Sequence, residues 1–545
     1  MTTAEAAEAR TSAWAPLRLP VFRSLWLAIL AGNIGTWIHD TAAAWIMAEM
    51  TASPLMVAAV QSATTVPVVL FALLAGTLAD IVDRRRYLLL AQGWMFAVAT
   101  LLAVLAQRDL LGPSVLLGLT FALGIGAAMT MPAQNALTPE LVTRPLLPAA
   151  VALGSLSMNI ARAVGPAIGG LIVAQLGASW AFGINALSFL CIIVVLWRWR
   201  RAAPESALPP EHFSGALRAG LRYAVQAPVL QGVLVRAAAF LFFASALAAL
   251  LPLVVRTRLD GSAGLFGILL GAVGAGAIAG AVLMPMMRAR MDRDRMVMLA
   301  TLGYACCIAL TAALRDWMLL APVMILAGLC WICVLSSLQV ASQLAVPTWV
   351  RARALSLYII VFSGSIASGA LAWGVLAQAT SIPVALLVAA CGALLALAAV
   401  RRIRLGAAEA LDVTPSAHWP QPIVVNGLHR DRGPVLVTLE YAVTAETREH
   451  FLRLMAQLGS SRRRDGALSW GVFEDTAAPG TYIETFTTGS WLEHLRQHER
   501  VNHDDRRLQE QIAALQREPG LPRIRHFVGG PPRPVPPPTR ATDAH

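Results

Sequence analysis

Ser53 to Arg86 reads SPLMVAAVQSATTVPVVLFALLAGTLADIVDRRR, and Ser262 to Arg295 reads SAGLFGILLGAVGAGAIAGAVLMPMMRARMDRDR. Each is an apolar run opened by a serine and closed by an aspartate among arginines. A constant offset of 209 residues aligns Ser53 with Ser262, Asp83 with Asp292, Arg84 with Arg293 and Arg86 with Arg295. An apolar helix of about 20 residues spans the hydrocarbon core of a bilayer. A repeat at nearly half-chain spacing therefore points to a membrane protein built from two parallel halves.

Working outward from this pair, the same scan finds six spans in residues 24–198 and six in 229–404. Residues 1–23 form an N-terminal cytoplasmic segment, and 199–228, with Pro204, Pro209 and Pro210, form a cytoplasmic linker. An amphipathic stretch from Ala216 to Val225 within the linker is expected to be a short surface helix. The first span is too long for a signal-peptide core and is expected to stay uncleaved. Composition agrees: 57% of residues are hydrophobic and 14% charged, and the mean hydropathy is +0.63. An ordinary soluble domain is about one quarter charged.

All 43 basic residues are arginine, which removes lysine Schiff-base chemistry. With the N-terminus placed inside, 21 arginines fall in cytoplasmic segments and four (Arg108, Arg256, Arg258 and Arg315) in the alternate loops. This bias predicts a multi-pass inner-membrane protein with both termini cytoplasmic. The net charge of +12 lies in the membrane part, so it reads as topology and not as nucleic-acid binding. Cys330 and Cys333 form a C-x-x-C inside an apolar run, without the second pair or histidines of a metal site. The six cysteines imply no disulfide framework.

The loop Gly76-Thr-Leu-Ala-Asp80-Ile-Val-Asp83-Arg84-Arg85-Arg86 resembles the signature G-x-L-A-D-x-x-G-R-R/K between spans two and three of the major facilitator superfamily, with Asp83 in place of the second glycine. Gly165-Pro166-Ala-Ile-Gly169-Gly170 is similar to the G-P-x-x-G-G motif of exporters in that superfamily. The first span, with Asn33, Gly35, Trp37, Trp45 and Met47, is similar to the enterobactin-exporter-like secretion transporters. The resemblance implies twelve helices in two six-helix halves and secondary-active export by alternating access. The expected cargo is an amphipathic small molecule such as a siderophore or drug, with protons as a candidate coupling ion. It also implies that Asp80 latches onto the start of span eleven in one state of the cycle.

Three charges lie within spans: Asp40, Arg162 and Arg236. An ion at membrane depth is a functional hypothesis by default. At 1.5 Å per residue, Asp40 and Arg162 sit about 24 and 20 Å from the cytoplasmic ends of their spans. They are expected to face a central cavity with Asn33 and Trp37 and to pair across it, with His39 in a minor relay role. Arg236 lies only about 10 Å along its span and can snorkel instead. Thr120 and Leu123 stand where many drug:proton antiporters carry Arg and Gln, so that proton path does not carry over.

Beyond a linker at 405–432, residues 433–529 read as a soluble cytoplasmic domain, and 530–545 as a disordered proline-rich tail. Strands are expected at Val435–Tyr441, Leu468–Glu474, Tyr482–Thr487 and Ile524–Val528. A helix capped by Thr444 and a long one from Ser490 to Leu515 complete a β-α-β-β-α-β order, the ferredoxin-like α+β pattern. It resembles the dimeric α+β barrel of antibiotic-biosynthesis-type monooxygenases, which implies dimerisation and raises an enzyme–transporter or sensor as alternatives. His494 and His498 stand at i and i+4, but no third ligand is evident. The expectation is a solvated helix face, no metal, no catalytic residue and no cofactor; no phosphate loop supports ATP-driven transport.

Overall fold

The computed structural model describes residues 14–199, 222–347, 350–405, 416, 432–517 and 522–529. Twelve of the described helices are long and apolar enough to cross a membrane. In the first half they are α1 Pro20–Met50, α2 Pro54–Ile81, α3 Arg84–Gln107, α4 Pro113–Leu141, α5 Leu147–Leu176 and α6 Ala178–Arg198. The second half has α7 Pro228–Arg258, α8 Ala263–Arg290, α9 Arg293–Ala313, α10 Trp317–Leu344, α11 Arg351–Ala379 and α12 Ile382–Val400. The chain divides into two compact units. One comprises residues 1–210, 232–342 and 355–406, the other 211–231, 343–354 and 407–545.

The 209-residue repeat is a repeat of helix caps. Ser53 and Ser262 accept from the N–H groups of Met56 and Leu265 at the starts of α2 and α8. Asp83 and Asp292 do the same for Arg86 and Arg295 at the starts of α3 and α9, at 2.9 and 3.1 Å. A side-chain oxygen at this position satisfies a backbone donor that the helix itself cannot. Asp83, the departure from the superfamily signature, is thus a cap.

Within the membrane unit, α1 packs on α5 and α6, α2 on α4, α3 on α4 and α6, and α9 on α12. The halves meet along two seams. In one, α5 lies against α8 at close backbone approach. A Cβ built on Gly170 would fall 2.5 Å from the Ala263 oxygen and 2.7 Å from Gly267 Cα, and one on Gly274 only 2.4 Å from Ala163 Cα. The other seam joins α2 to α11. Ser53 donates to Gln378 at 2.9 Å and Ser62 to the Ala367 carbonyl at 2.8 Å. Ala58 and Ala370 are buried there with Ala249 of α7. The contacts of both seams run from the middle of their helices towards the ends away from the arginine-bearing connections at 84–86, 144 and 288–295.

The tail holds β1 Val435–Ala442, α13 Arg448–Asp465, β2 Ser469–Glu474, β3 Thr481–Thr488, α14 Trp491–Arg500, α15 His503–Ala513 and β4 Arg523–Val528. The four strands form one antiparallel sheet in the order β2-β3-β1-β4. Val435, Val437, Leu439 and Tyr441 alternate into the core, where Phe451, Met455 and Leu458 of α13 cover them. The expected long helix breaks at Val501. Asn502 and Asp505 form a capping box that starts α15, a hydrogen-bonding signal that outweighs the continuous helical propensity around it. Thr444 does not cap α13; its hydroxyl meets that of Thr447, 3.0 Å away, and the helix starts at Arg448. Residues 200–221, most of 405–432 and 530–545, including most of the expected surface helix from Ala216, lie outside the described residues; residues 222–226 are helical.

The glycine seam yields a paired prediction. Gly170→Ala puts a methyl group into backbone and is expected to lower stability by about 1–3 kcal/mol through overpacking. Gly154→Ala, on the same helix with nothing within 4 Å of the new Cβ, is expected to stay within about 0.5 kcal/mol of the parent. Thermal melts of the detergent-solubilised proteins compare them.

Candidate functional site

Asn33, Trp37 and Asp40 recur at i, i+4 and i+7, which places them on one stripe of α1. That stripe runs beside α5. The Asn33 amide donates to Ser157 Oγ at 3.2 Å. The Arg162 guanidinium lies over the Trp37 indole, 5.7 Å from the ring centroid, within reach of a cation–π attraction. Asn33, Trp37, Asp40 and Arg162 are all half-buried. The expected pairing of Asp40 with Arg162 is not formed: among the described residues neither takes part in an ion pair. The indole face, not the carboxylate, neighbours the guanidinium.

The small residues of α5 make this arrangement fit. A Cβ on Gly165 would come 2.5 Å from Trp37 Cβ, and one on Gly169 3.0 Å from Ile38 Cα. Gly170 turns to α8 instead, so the G-P-x-x-G-G stretch serves three helices at once. Pro166 has no N–H, so the Arg162 carbonyl loses its helical donor. That carbonyl faces Gly274 of α8, whose Cβ would stand 2.9 Å away. His39 leaves the stripe. It is buried against Phe182 of α6, 5.0 Å between ring centroids, and neither ring nitrogen has a hydrogen-bond partner. Thr120 is also buried with its hydroxyl unpartnered.

Arg236 neither snorkels nor joins the α1–α5 face. It is 5% exposed and ion-paired with Asp294 near the start of α9. It also donates to the Ile403 carbonyl at 2.9 Å, while Asp294 accepts from the Leu405 N–H at 2.9 Å. The pair ties α7, α9 and the end of α12 together. Asp294 was legible as an acid in the repeat, but nothing in the spacing linked it to a residue 58 positions earlier.

In the 76–86 loop, Arg85 caps α6: Nε and Nη2 donate to the Leu196 and Trp197 carbonyls at 2.8 and 2.6 Å. A cation among the last carbonyls of a helix is favourable for both hydrogen bonding and the helix dipole. Arg84 begins α3 and is half-buried. Gly76 and Asp80 fall in the last turns of α2, and the Asp80 side chain lies outside the described residues.

The tail corrects one expectation outright. His494 is 1% exposed and belongs to no solvated face. His526 of β4 joins it and His498, so a third imidazole is present that helical spacing could not reveal. Deeper in the same core, Glu484 accepts from Arg462 Nε and Nη2 (2.9 and 3.3 Å), from Trp470 Nε1 (3.0 Å) and from the Tyr441 hydroxyl (3.0 Å). Burial and the Glu484 carboxylate push the Tyr441 pKa well up.

Twelve apolar helices in two halves, sealed by small residues and carrying a charged stripe in the first half, define a transporter of the major facilitator fold. Solved structures agree. The chain is similar to a bacterial homologue of the human lysosomal transporter Spinster in an inward-facing conformation (TM-score 0.55, 14% identity, 71% of this chain and 96% of that one). It is also similar to the peptide transporter POT (TM-score 0.60, 13% identity, 71% and 95%). The chain belongs to the transmembrane secretion effector family, whose model matches residues 11–534. Among curated relatives it is 29% identical over 333 residues to the enterobactin exporter EntS of Escherichia coli O1:K1 / APEC, covering 60% of this chain and 78% of the relative. The EntS of Shigella boydii serotype 18 matches to the same extent.

Breaking the Arg236–Asp294 pair from one side leaves an uncompensated ion. Arg236→Met is expected to cost about 3–5 kcal/mol, and adding Asp294→Asn, which keeps the acceptor for Leu405, should recover part of the loss. Melting temperatures of the single and double variants measure it.

Proposed function

We propose that the chain is a secondary-active exporter that moves an amphipathic small molecule bearing an anionic or electron-rich aromatic group across the inner membrane. The Arg162–Trp37 contact carries this reading. A guanidinium with no carboxylate partner at membrane depth is costly unless it serves a ligand, and the indole beneath it supplies an apolar, polarisable floor. Asn33 and Ser157 extend the polar strip towards the arginine-bearing side. The family match and the enterobactin exporters among the relatives support outward transport of a secreted metabolite.

The cycle we infer is alternating access. The seams α5–α8 and α2–α11 join the halves on the side away from the arginine-rich connections, which supports a state closed on that side. Asp40, on the Trp37 stripe, is the candidate proton carrier, and Asp80 the candidate latch to α11. The tail, by its strand order, is ferredoxin-like and serves as a cytoplasmic regulatory or dimerising module.

Two experiments test this. Metabolite profiles of culture medium and cells should show a compound that shifts from medium to cytoplasm on deletion of the gene. Wild-type protein should restore its export, and an equally expressed Arg162→Ala variant should restore at most about a tenth of it, the scale of losing an interaction worth about 1.4 kcal/mol. Unchanged profiles on deletion would overturn the exporter reading. Separately, a fluorescent-protein fusion at the C-terminus should light up and a phosphatase fusion there should stay inactive; the reverse would place the tail outside.

A further inference from the structure

We propose that His494, His498 and His526 form a mononuclear site for a divalent transition metal of the zinc class in the tail, independent of the transport pathway. One ligand nitrogen from each residue lies within 4.8 Å of the other two. His494 Nε2 and His498 Nε2 are 3.3 Å apart. Two imidazoles at about 2.0–2.1 Å from one tetrahedral ion would hold their nitrogens about 3.4 Å apart, so this pair already stands at ligand spacing. His526 approaches from β4, its ring centroid 4.8 Å from that of His494.

The surroundings suit a bound ion. His494 is fixed in the core, with the Trp491 ring 5.4 Å from its own and 5.9 Å from that of His526. His498 and His526 are half-buried. Neutral imidazole is the form that ligates. One turn on from His494, the Gln497 amide is fully buried with no well-formed hydrogen bond, and it is the polar neighbour of the ring. A metal on Nε2 would leave the buried, unpartnered Nδ1 as the N–H that takes a supporting acceptor, as metal-bound histidines usually do. Three imidazoles select Zn(II), with Co(II) as its spectroscopic stand-in, over hard oxygen-seeking ions.

The test uses the full-length protein in detergent, purified without a histidine tag and stripped with chelator. Zn(II) titration should saturate at one ion per chain, and Co(II) should give the visible absorption of a four- or five-coordinate ion that Zn(II) bleaches. His498→Asn and His526→Asn should each weaken Zn(II) by more than about tenfold, since even loss of a supporting group costs about 10–100-fold. Unchanged far-UV circular dichroism of the metal-free variants establishes that they fold, and Mg(II) should not compete. Absence of stoichiometric binding to folded wild-type protein, or wild-type affinity in both variants, overturns the site. Transport of the secreted compound is read separately, so failure of the exporter reading leaves this result intact.

Discussion

Everything in the membrane unit depends on backbones touching at α5. Lipid tails are as apolar as leucine, so helices in a bilayer gain little from hiding side chains from lipid and hold together by close packing. Gly165 and Gly169 let α1 lie on α5, and Gly170 lets α8 lie on the other face of the same helix. Because the three glycines and Pro166 fall within six residues, α5 is a common contact for both halves and for the helix that bears the polar stripe. Moving one half against the other therefore means sliding along surfaces with no side chains to interlock. A seam that can open is more useful to a transporter than one sealed by interdigitated leucines.

The intramembrane charges divide into two kinds by the same logic. Arg236 has its counter-ion, and removing that pair from water at one end of three helices fixes their ends. It is structural. Among the described residues Arg162 has an indole beside it and no carboxylate. Its height on α5 is set by the Gly165 contact with Trp37, and the carbonyl that Pro166 frees at Arg162 lies against α8. Arg162 is thus packed directly against the α5–α8 seam.

The parts of this architecture written in local pattern were legible in the sequence. Apolar run length gave the twelve helices, strand alternation gave the four strands, and the repeat exposed Ser53, Asp83, Ser262 and Asp292 before their role as caps was visible. What spacing could not give was pairing across the fold. Asp40 and Arg162 were matched by height alone, and height does not specify azimuth: Arg162 faces Trp37. Asp294 and His526 were missed because each meets its partner through tertiary packing, one across helices and the other from a strand. The break at Val501 was missed for a different reason, since a side-chain cap at Asn502 overrides propensity that continues on both sides.

That break gives the tail its organisation. By stopping at Arg500, α14 presents Glu493 on one side, paired with Arg500 and 4.0 Å from Arg222 of the segment before α7. It also presents His494 and His498 to His526 of β4. In the same unit, Arg464 of α13 stacks 5.9 Å from the Tyr223 ring and pairs with Asp465 and Asp505, while the Tyr223 hydroxyl donates to the Ala345 carbonyl at 3.2 Å. Residues 222–223 and 345 are chain neighbours of α7 and of α10. Within this unit the short helix thus carries both the histidine cluster and the Glu493–Arg500 pair, and the placement of each depends on the helix ending at Arg500.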